Sequence, residues 1–457
     1  MTELGTVGRT TERPTVPMAS EPSPHRSRGK LASALARVRI LAPLRRRNFG
    51  LLWAGMTVSL VGDGIYAIAV VWEALRLSNS ATSVSLVGVA WTVPTLACLL
   101  FSGILTDRFD RRRLMLCASL VQAGAVGIIG VLDVTGHLQP WALLGLIVVY
   151  GTAEAFFLPA FEALVPMLVT SSELAQASAL DQAVRPLTMR LIGPALGGLL
   201  IAMAGTAAGF LLDAGTFFVS AATLLAMRPA GGPAAPHPGH RATLSTLREG
   251  IRFVRANPWL WRTLLAASVT LLLFLGPYEV VLPFLVKNGL HGGSATLGLI
   301  RAFGGIGALL GALAVSQSGL PRRALRAMFA GWALQCLTLA GYAAAHRAWL
   351  FAVVSLLGGA CGAVGNVVWG TFMKTRVPNH LLGRVASLDL LVSIGLVPVS
   401  FALAGPAAAL IGARATLLGG GVVAAGVLLA ALFLCRAEGS PARRATRDHI
   451  SQPARAS

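Results

Sequence analysis

Charge is what this 457-residue chain has least of: only 12% of its residues are Asp, Glu, Lys or Arg, about half the ~25% of a soluble domain. With 55% hydrophobic residues and a mean hydropathy of +0.71, this deficit excludes an ordinary water-soluble fold. Lysine occurs only at Lys30, Lys287 and Lys374. The five cysteines (Cys98, Cys117, Cys336, Cys361 and Cys435) show no CxxC or other metal-ligand spacing, so they are expected to be packing residues, with no metal site. GxxxxGK[ST], HExxH and GxSxG are all absent, which leaves no basis for nucleotide-driven or hydrolytic chemistry, and no cofactor or enzyme activity is expected.

What the chain has instead is apolar runs long enough to cross the ~30 Å hydrocarbon layer. Twelve are expected, at about 48–74, 82–105, 114–133, 141–165, 175–204, 206–227, 259–286, 293–317, 324–345, 348–373, 384–410 and 412–435. The net charge of +20 is sorted across them. Nearly all Lys and Arg fall in the segments on one side, whereas the other side holds only Arg76, Lys287, Arg347 and Arg414. This is the positive-inside pattern and predicts both termini in the cytoplasm. Scattered over six segments without a reading module, the arginines exclude nucleic acid as a partner; the lipid bilayer is their expected neighbour.

Residues 1–45 are polar and rich in Pro and Arg, and are expected to be a disordered cytoplasmic arm without a removable signal peptide. Helical bundles are then expected at 46–228 and 259–435, with a cytoplasmic linker at 229–258 and a disordered tail at 436–457. The linker opens with the Pro/Gly-rich 228–242 stretch and continues into a basic amphipathic segment that fits the inner membrane surface.

Six spans on each side of the linker imply an internal repeat, and a faint one is present. Leu180-Asp181 matches Leu388-Asp389, and Arg111-Arg112 matches Arg322-Arg323, in the same membrane orientation. Same-sense repeats predict halves related by an axis along the membrane normal.

Between spans 2 and 3 lies "GILTDRFDRRRL". It is similar to the inner-loop signature G-x-L-A-D-R-x-G-R-[RK] of the major facilitator superfamily, with Gly103, Leu105, Asp107, Arg108, Arg111 and Arg112 in register, Thr106 in place of Ala and Asp110 in place of the second Gly. "GPALGG" (Gly193, Pro194, Gly197, Gly198) resembles the core of the signature of exporters in that superfamily; Pro removes a backbone donor and Gly removes bulk, so a bend and a close helix approach are expected there. The overall pattern resembles the branch holding bacterial siderophore exporters and macrolide efflux pumps.

The resemblance implies an all-α fold of twelve transmembrane helices in two six-helix bundles, in the bacterial inner (plasma) membrane, acting as a monomer on a small molecule. It implies that Asp107 meets the amino end of span 11, where the helix terminus favours an anion, and so latches the halves together on the cytoplasmic side. It implies further that spans 1 and 4 line a central cavity. Asp63 in span 1 and Glu154 in span 4 then become candidates for cavity residues and proton carriers, because ionised groups are costly in the membrane and are functional candidates by default. Asp63, flanked by Gly62 and Gly64, has the alternative of bonding freed backbone. Asn366 is expected as the neutral counterpart of Glu154 in span 10. Arg190 needs a carboxylate, from Glu154 or Asp213, or else polar cargo. Pairs are expected between Glu279 and Arg301 and between Asp181 and Arg185, and Trp91, Phe156, Phe157, Tyr278 and Trp369 are candidates to pack an aromatic cargo. The leading expectation is a proton-coupled efflux carrier for an amphipathic drug, antibiotic or siderophore; a proton-coupled importer and a non-transporting membrane sensor are the alternatives.

Overall fold

A computed structural model describes residues 39–228, 244–319, 321 and 323–437; the side chains at 39, 100, 103, 104, 107, 244–248, 379, 380, 436 and 437 lie outside the description. The remainder of the expected arm, the Pro/Gly-rich linker, Arg322 and nearly all of the expected tail also lie outside it. The described residues are helical, without strands. In the first half of the chain the helices are α1 (Arg47–Leu77), α2 (Ala81–Arg108), α3 (Arg111–Val134), α4 (Pro140–Leu168), α5 (Leu174–Leu187) and α6 (Gly193–Ala226). In the second half they are α7 (Leu244–Ala256), α8 (Pro258–Gly276), α9 (Leu282–Gly289), α10 (Ser294–Ser318), α11 (Ala324–Ala344), α12 (Ala348–Arg376), α13 (Asn379–Gly395), α14 (Val397–Ile411) and α15 (Ala413–Ala437).

Among the described residues, eleven helices are long and apolar enough to span a membrane, against the twelve expected. The difference lies in Leu174–Ala226, 53 residues that count as one span because no linker separates its parts, and that would reach about 80 Å if straight. It is not straight. Gly205 has φ 82°, a conformation in which an L side chain is strained, and beyond it Gly209 packs back on Ile201. The chain reverses at Gly205, where the apolar pattern divides residues 175–204 from 206–227.

Local chemistry starts and stops the helices. Pro140 and Pro258 open α4 and α8, where a missing N–H costs nothing. Ser80 caps α2 through Ser83 N. Asp110, the departure from the loop signature, caps α3 by accepting from Arg113 N at 2.8 Å. Arg39–Arg45, assigned to the disordered arm by its polarity, is instead a 3-10 helix. Its apolar members Ile40, Leu41 and Leu44 pack on the cluster around Phe49, Trp53 and Phe161, which offsets the cost of ordering it. Beside it, Glu173 accepts from the Thr170 backbone N–H and hydroxyl and from Arg46, which together hold its carboxyl below the usual range. In the second half, α7 docks on α13 through an ion pair between Glu249 and Arg384.

Two membrane helices contain a π-turn. Pro194 offers no N–H to the Arg190 carbonyl, and Gly193 N bonds Thr188 O instead, widening Thr188–Ile192 between α5 and α6. Pro283 stands in the same register after Pro277–Val281, between α8 and α9: it offers no N–H to the Glu279 carbonyl, and the Leu282 N–H reaches Pro277 O. There Ser400 Oγ completes the interrupted ladder, accepting from Gly276 N at 2.7 Å and donating to Leu272 O at 2.6 Å.

Candidate functional site

The two halves enclose a central cavity of about 740 Å³, walled by α1, α2 and the first π-turn on one side and by α8, α10, α11, α12, α13 and α14 on the other. At the end carrying the Leu77–Ala81 turn, the halves touch directly. Ser85 Oγ donates to Phe401 O at 2.7 Å and accepts from Gly405 N at 2.8 Å. The Asn79 and Asn288 side chains bond each other. Lys287 Nζ donates to Leu75 O at 2.6 Å, and Ser294 Oγ to Gly198 O at 3.2 Å. Just behind this seal, Arg76 pairs with Glu73 and Asp133 while the Thr206 hydroxyl lies within 2.8 Å of both carboxylates, tying α1, α3 and α6 together.

The GPALGG residues sit where the first half meets α10. A Cβ on Gly198 would stand 2.8 Å from Gly298 Cα and from Ser294 O; on Gly193 or Gly197 it would meet Gly64 Cα at 2.6 Å or Ile65 Cα at 2.8 Å. The expected bend lies just before Pro194, as the first π-turn.

The inner-loop residues are all on or beside the α2–α3 connection. Gly103 and Asp107 belong to the last turns of α2, and their surroundings fall outside the description. Arg108 is exposed. Arg111 donates to Met167 Sδ, and Arg112 donates to Leu224 O at 2.6 Å and Leu225 O at 2.9 Å, so these arginines hold the ends of α4 and α6 within their own half.

Asp63 and Glu154 lie close together, one layer behind the cavity wall. Tyr150 donates to Asp63 Oδ1 at 2.9 Å, and its ring stacks on Tyr66 at 4.6 Å. Glu154 meets the wall through Trp91, whose indole N–H it accepts. Asp213 shares this layer: it is fully buried, with Thr216 Oγ1 3.2 Å from Oδ1 and no partner on Oδ2. Asn366 does line the cavity, and accepts from Trp332 Nε1 at 2.9 Å much as Glu154 does from Trp91.

Arg190 is on the wall, but it pairs with neither expected carboxylate: Glu154 accepts from Trp91, and Asp213 is buried beside Thr216. Of the expected aromatics, Trp91, Tyr278 and Trp369 line the cavity, whereas Phe156 and Phe157 are not among its lining residues. Arg301 Nη1 bonds Glu279 Oε1 at 2.8 Å, the pair expected from their similar depth in neighbouring spans, and the guanidinium also lies 4.3 Å from the Tyr278 ring centroid. Asp181 and Arg185 pair at 3.1 Å. Asp389, the repeat partner of Asp181, instead faces the cavity and accepts from Trp369 Nε1 at 3.2 Å. Sequence reasoning passed over Trp332, Gln335 and Asp389 as wall residues; the signal available for Asp389 was its place among apolar residues of the eleventh expected span. No cluster of metal ligands occurs among the described residues.

A profile described as transmembrane secretion effector, of major facilitator type, matches residues 38–456. The chain belongs to the major facilitator superfamily. It is 30% identical to the multidrug efflux pump Tap of Mycolicibacterium fortuitum over 385 residues, covering 80% of this chain and 90% of that protein. It is also 30% identical to the enterobactin exporter EntS of Shigella flexneri over 388 residues, covering 81% of this chain and 88% of that one. Among solved structures, an inward-facing bacterial homologue of the iron transporter ferroportin superposes with a TM-score of 0.61 at 17% identity, covering 85% of this chain and 99% of that chain. This superfamily member is therefore a multi-pass membrane transporter of small molecules, with efflux proteins among its relatives.

Proposed function

We propose that this transporter is a proton-coupled efflux carrier that moves an amphipathic small molecule out across the bacterial inner membrane by alternating access. The observation that carries the reading is the cavity between the halves, closed at one end by contacts between them. The names of the relatives support export, and the exporter-like GPALGG supports it from within the chain. Taking the reversal at Gly205 as a hairpin gives twelve crossings, six in each half, consistent with paired six-helix bundles and with termini on one side. The sorting of Arg and Lys favours that side as the cytoplasm, which makes the conformation described here cytoplasm-open.

In this cycle the cargo enters between the halves from the cytoplasm. The seal near Ser85 and Lys287 then parts as the opposite end closes, and Asp107 engages the start of α13. Asp63 and Glu154 take up a proton from outside and release it inside, since a buried carboxylate is far cheaper to carry neutral. Trp91, touching both cavity and Glu154, gives the cargo a route to the proton site. Inverted vesicles carrying the protein, with a panel of fluorescent amphipaths added to the external medium, test the proposal: cargo accumulates only under an imposed pH gradient, acid inside. Accumulation indifferent to the gradient, or flux in the opposite sense, refutes it.

A further inference from the structure

The cavity wall carries four charged side chains, and three of them are accounted for. Arg301 is spent on Glu279 and Tyr278, and Asp389 accepts from Trp369. Arg190 is different: it is exposed on the wall and, among the described residues, has neither a hydrogen bond nor an ion pair through its guanidinium. Its place is built rather than incidental. The π-turn caused by Pro194 presents Arg190 to the cavity, and Gly305 of α10 packs against its backbone so closely that a Cβ there would stand 2.5 Å from Arg190 O. Gly305 lies one helical turn beyond Arg301. Two guanidinium-bearing positions thus lie near one stretch of α10, and among the described residues Glu279 pairs with Arg301 alone. An arginine without a counter-ion in a largely apolar membrane chamber is expensive, and its fork of donors suits a planar oxyanion.

We infer that Arg190 binds an acidic group on the cargo, so that the transported class is an amphipathic anion: a carboxylate, sulfonate or comparable acid on an aromatic body. The aromatic body has its own surface in Trp332 and Trp369, whose rings lie 6.2 Å apart on the wall. This rests on the reading of the cavity as a cargo site and narrows what enters it.

The test is equilibrium dialysis of the purified full-length protein against two tritiated probes of matched shape, 2-naphthoate and 2-naphthylmethylammonium, without a pH gradient. Wild type binds the naphthoate in preference to the ammonium. Arg190→Gln weakens naphthoate binding about tenfold or more, as expected for loss of a charge-assisted contact, while Arg190→Lys retains most of it and neither change weakens the ammonium. Thermal unfolding of both variants confirms that they fold. Preference of the wild type for the ammonium, no naphthoate binding at millimolar concentration, or naphthoate binding unchanged in Arg190→Gln overturns the inference. Failure of proton coupling in vesicles would leave this equilibrium result standing. Failure here would leave gradient-driven export of cationic or neutral cargo untouched.

Discussion

Replacing Lys287 by Met should loosen the seal at the Leu77–Ala81 end. The ammonium donates to Leu75 O, one of the last carbonyls of α1 that no helical N–H reaches. A charged hydrogen bond contributes about 1.5–3 kcal/mol, and a cation at a helix C-terminus roughly 0.3–1 kcal/mol. Lys287 is only partly buried and water can replace its partner in the open state, so the net loss is set at about 1–2 kcal/mol, roughly a 5–30-fold rise in the population open at that end. Val71 lines the cavity, and a Val71→Cys probe would report that population through its labelling rate by an impermeant maleimide added from the Leu77–Ala81 face, with the unmutated chain giving the background of native cysteines. Lys287→Met should speed labelling by that factor, and Lys287→Arg, which keeps a charged donor, should change it little. A change below about twofold for Met, or an equal rise for Arg, refutes the role assigned to this contact.

Three further outcomes are expected. Gly298→Val puts a Cβ against Gly198 Cα and Pro194 O; backbone cannot yield as a side chain can, so transport should fall severalfold while membrane insertion is retained, and wild-type flux in vesicles would contradict this. Asp110→Ala removes the cap of α3 and should cost about 1 kcal/mol of stability, whereas Asp110→Asn should be near neutral, as read by thermal unfolding. Asp107→Asn should abolish most transport and leave insertion intact; unchanged flux would dismiss the cytoplasmic latch.

The membrane class, the helix-only fold and the reversal at Gly205 were legible because they depend on local composition: apolar length sets a span, and a turn between two spans must fall where the pattern breaks. The pairs Glu279–Arg301 and Asp181–Arg185 were legible for a related reason, since costly charges at matching depth or one helical turn apart find each other. The cavity wall was not. Whether Asp63 and Glu154 face it depends on how α1 and α4 rotate about their axes, and that is decided by Tyr150 and Trp91 reaching them from neighbouring positions. The π-turns had a local cause in Pro194 and Pro283, but their contacts come from Gly305 and Ser400, more than a hundred residues away in sequence. Asp110 looked like a defect in a loop signature. It is an N-cap, and an acidic residue directly ahead of an apolar helical run carries that signal.

The contacts that join the halves are of two kinds, and the difference bears on how they move. Near the Leu77–Ala81 end they are made by Ser85, Asn79, Asn288 and Lys287, whose hydrogen bonds water can replace at a net cost of about 1 kcal/mol each. Where α6 and the first π-turn meet α10, beside the Ser294–Gly198 hydrogen bond, they are backbone against glycine, at Gly198 with Gly298 and at Arg190 with Gly305, so that separation would expose a bare helix seam. A rocking motion that opens the polar end at least cost therefore keeps the glycine seam together and turns about it. On the proposed cycle, the few kcal/mol needed to part the polar seal are within what binding of cargo and a proton would supply. Arg190 lies on that axis, so a bound anion would remain with it while the cavity changes sides.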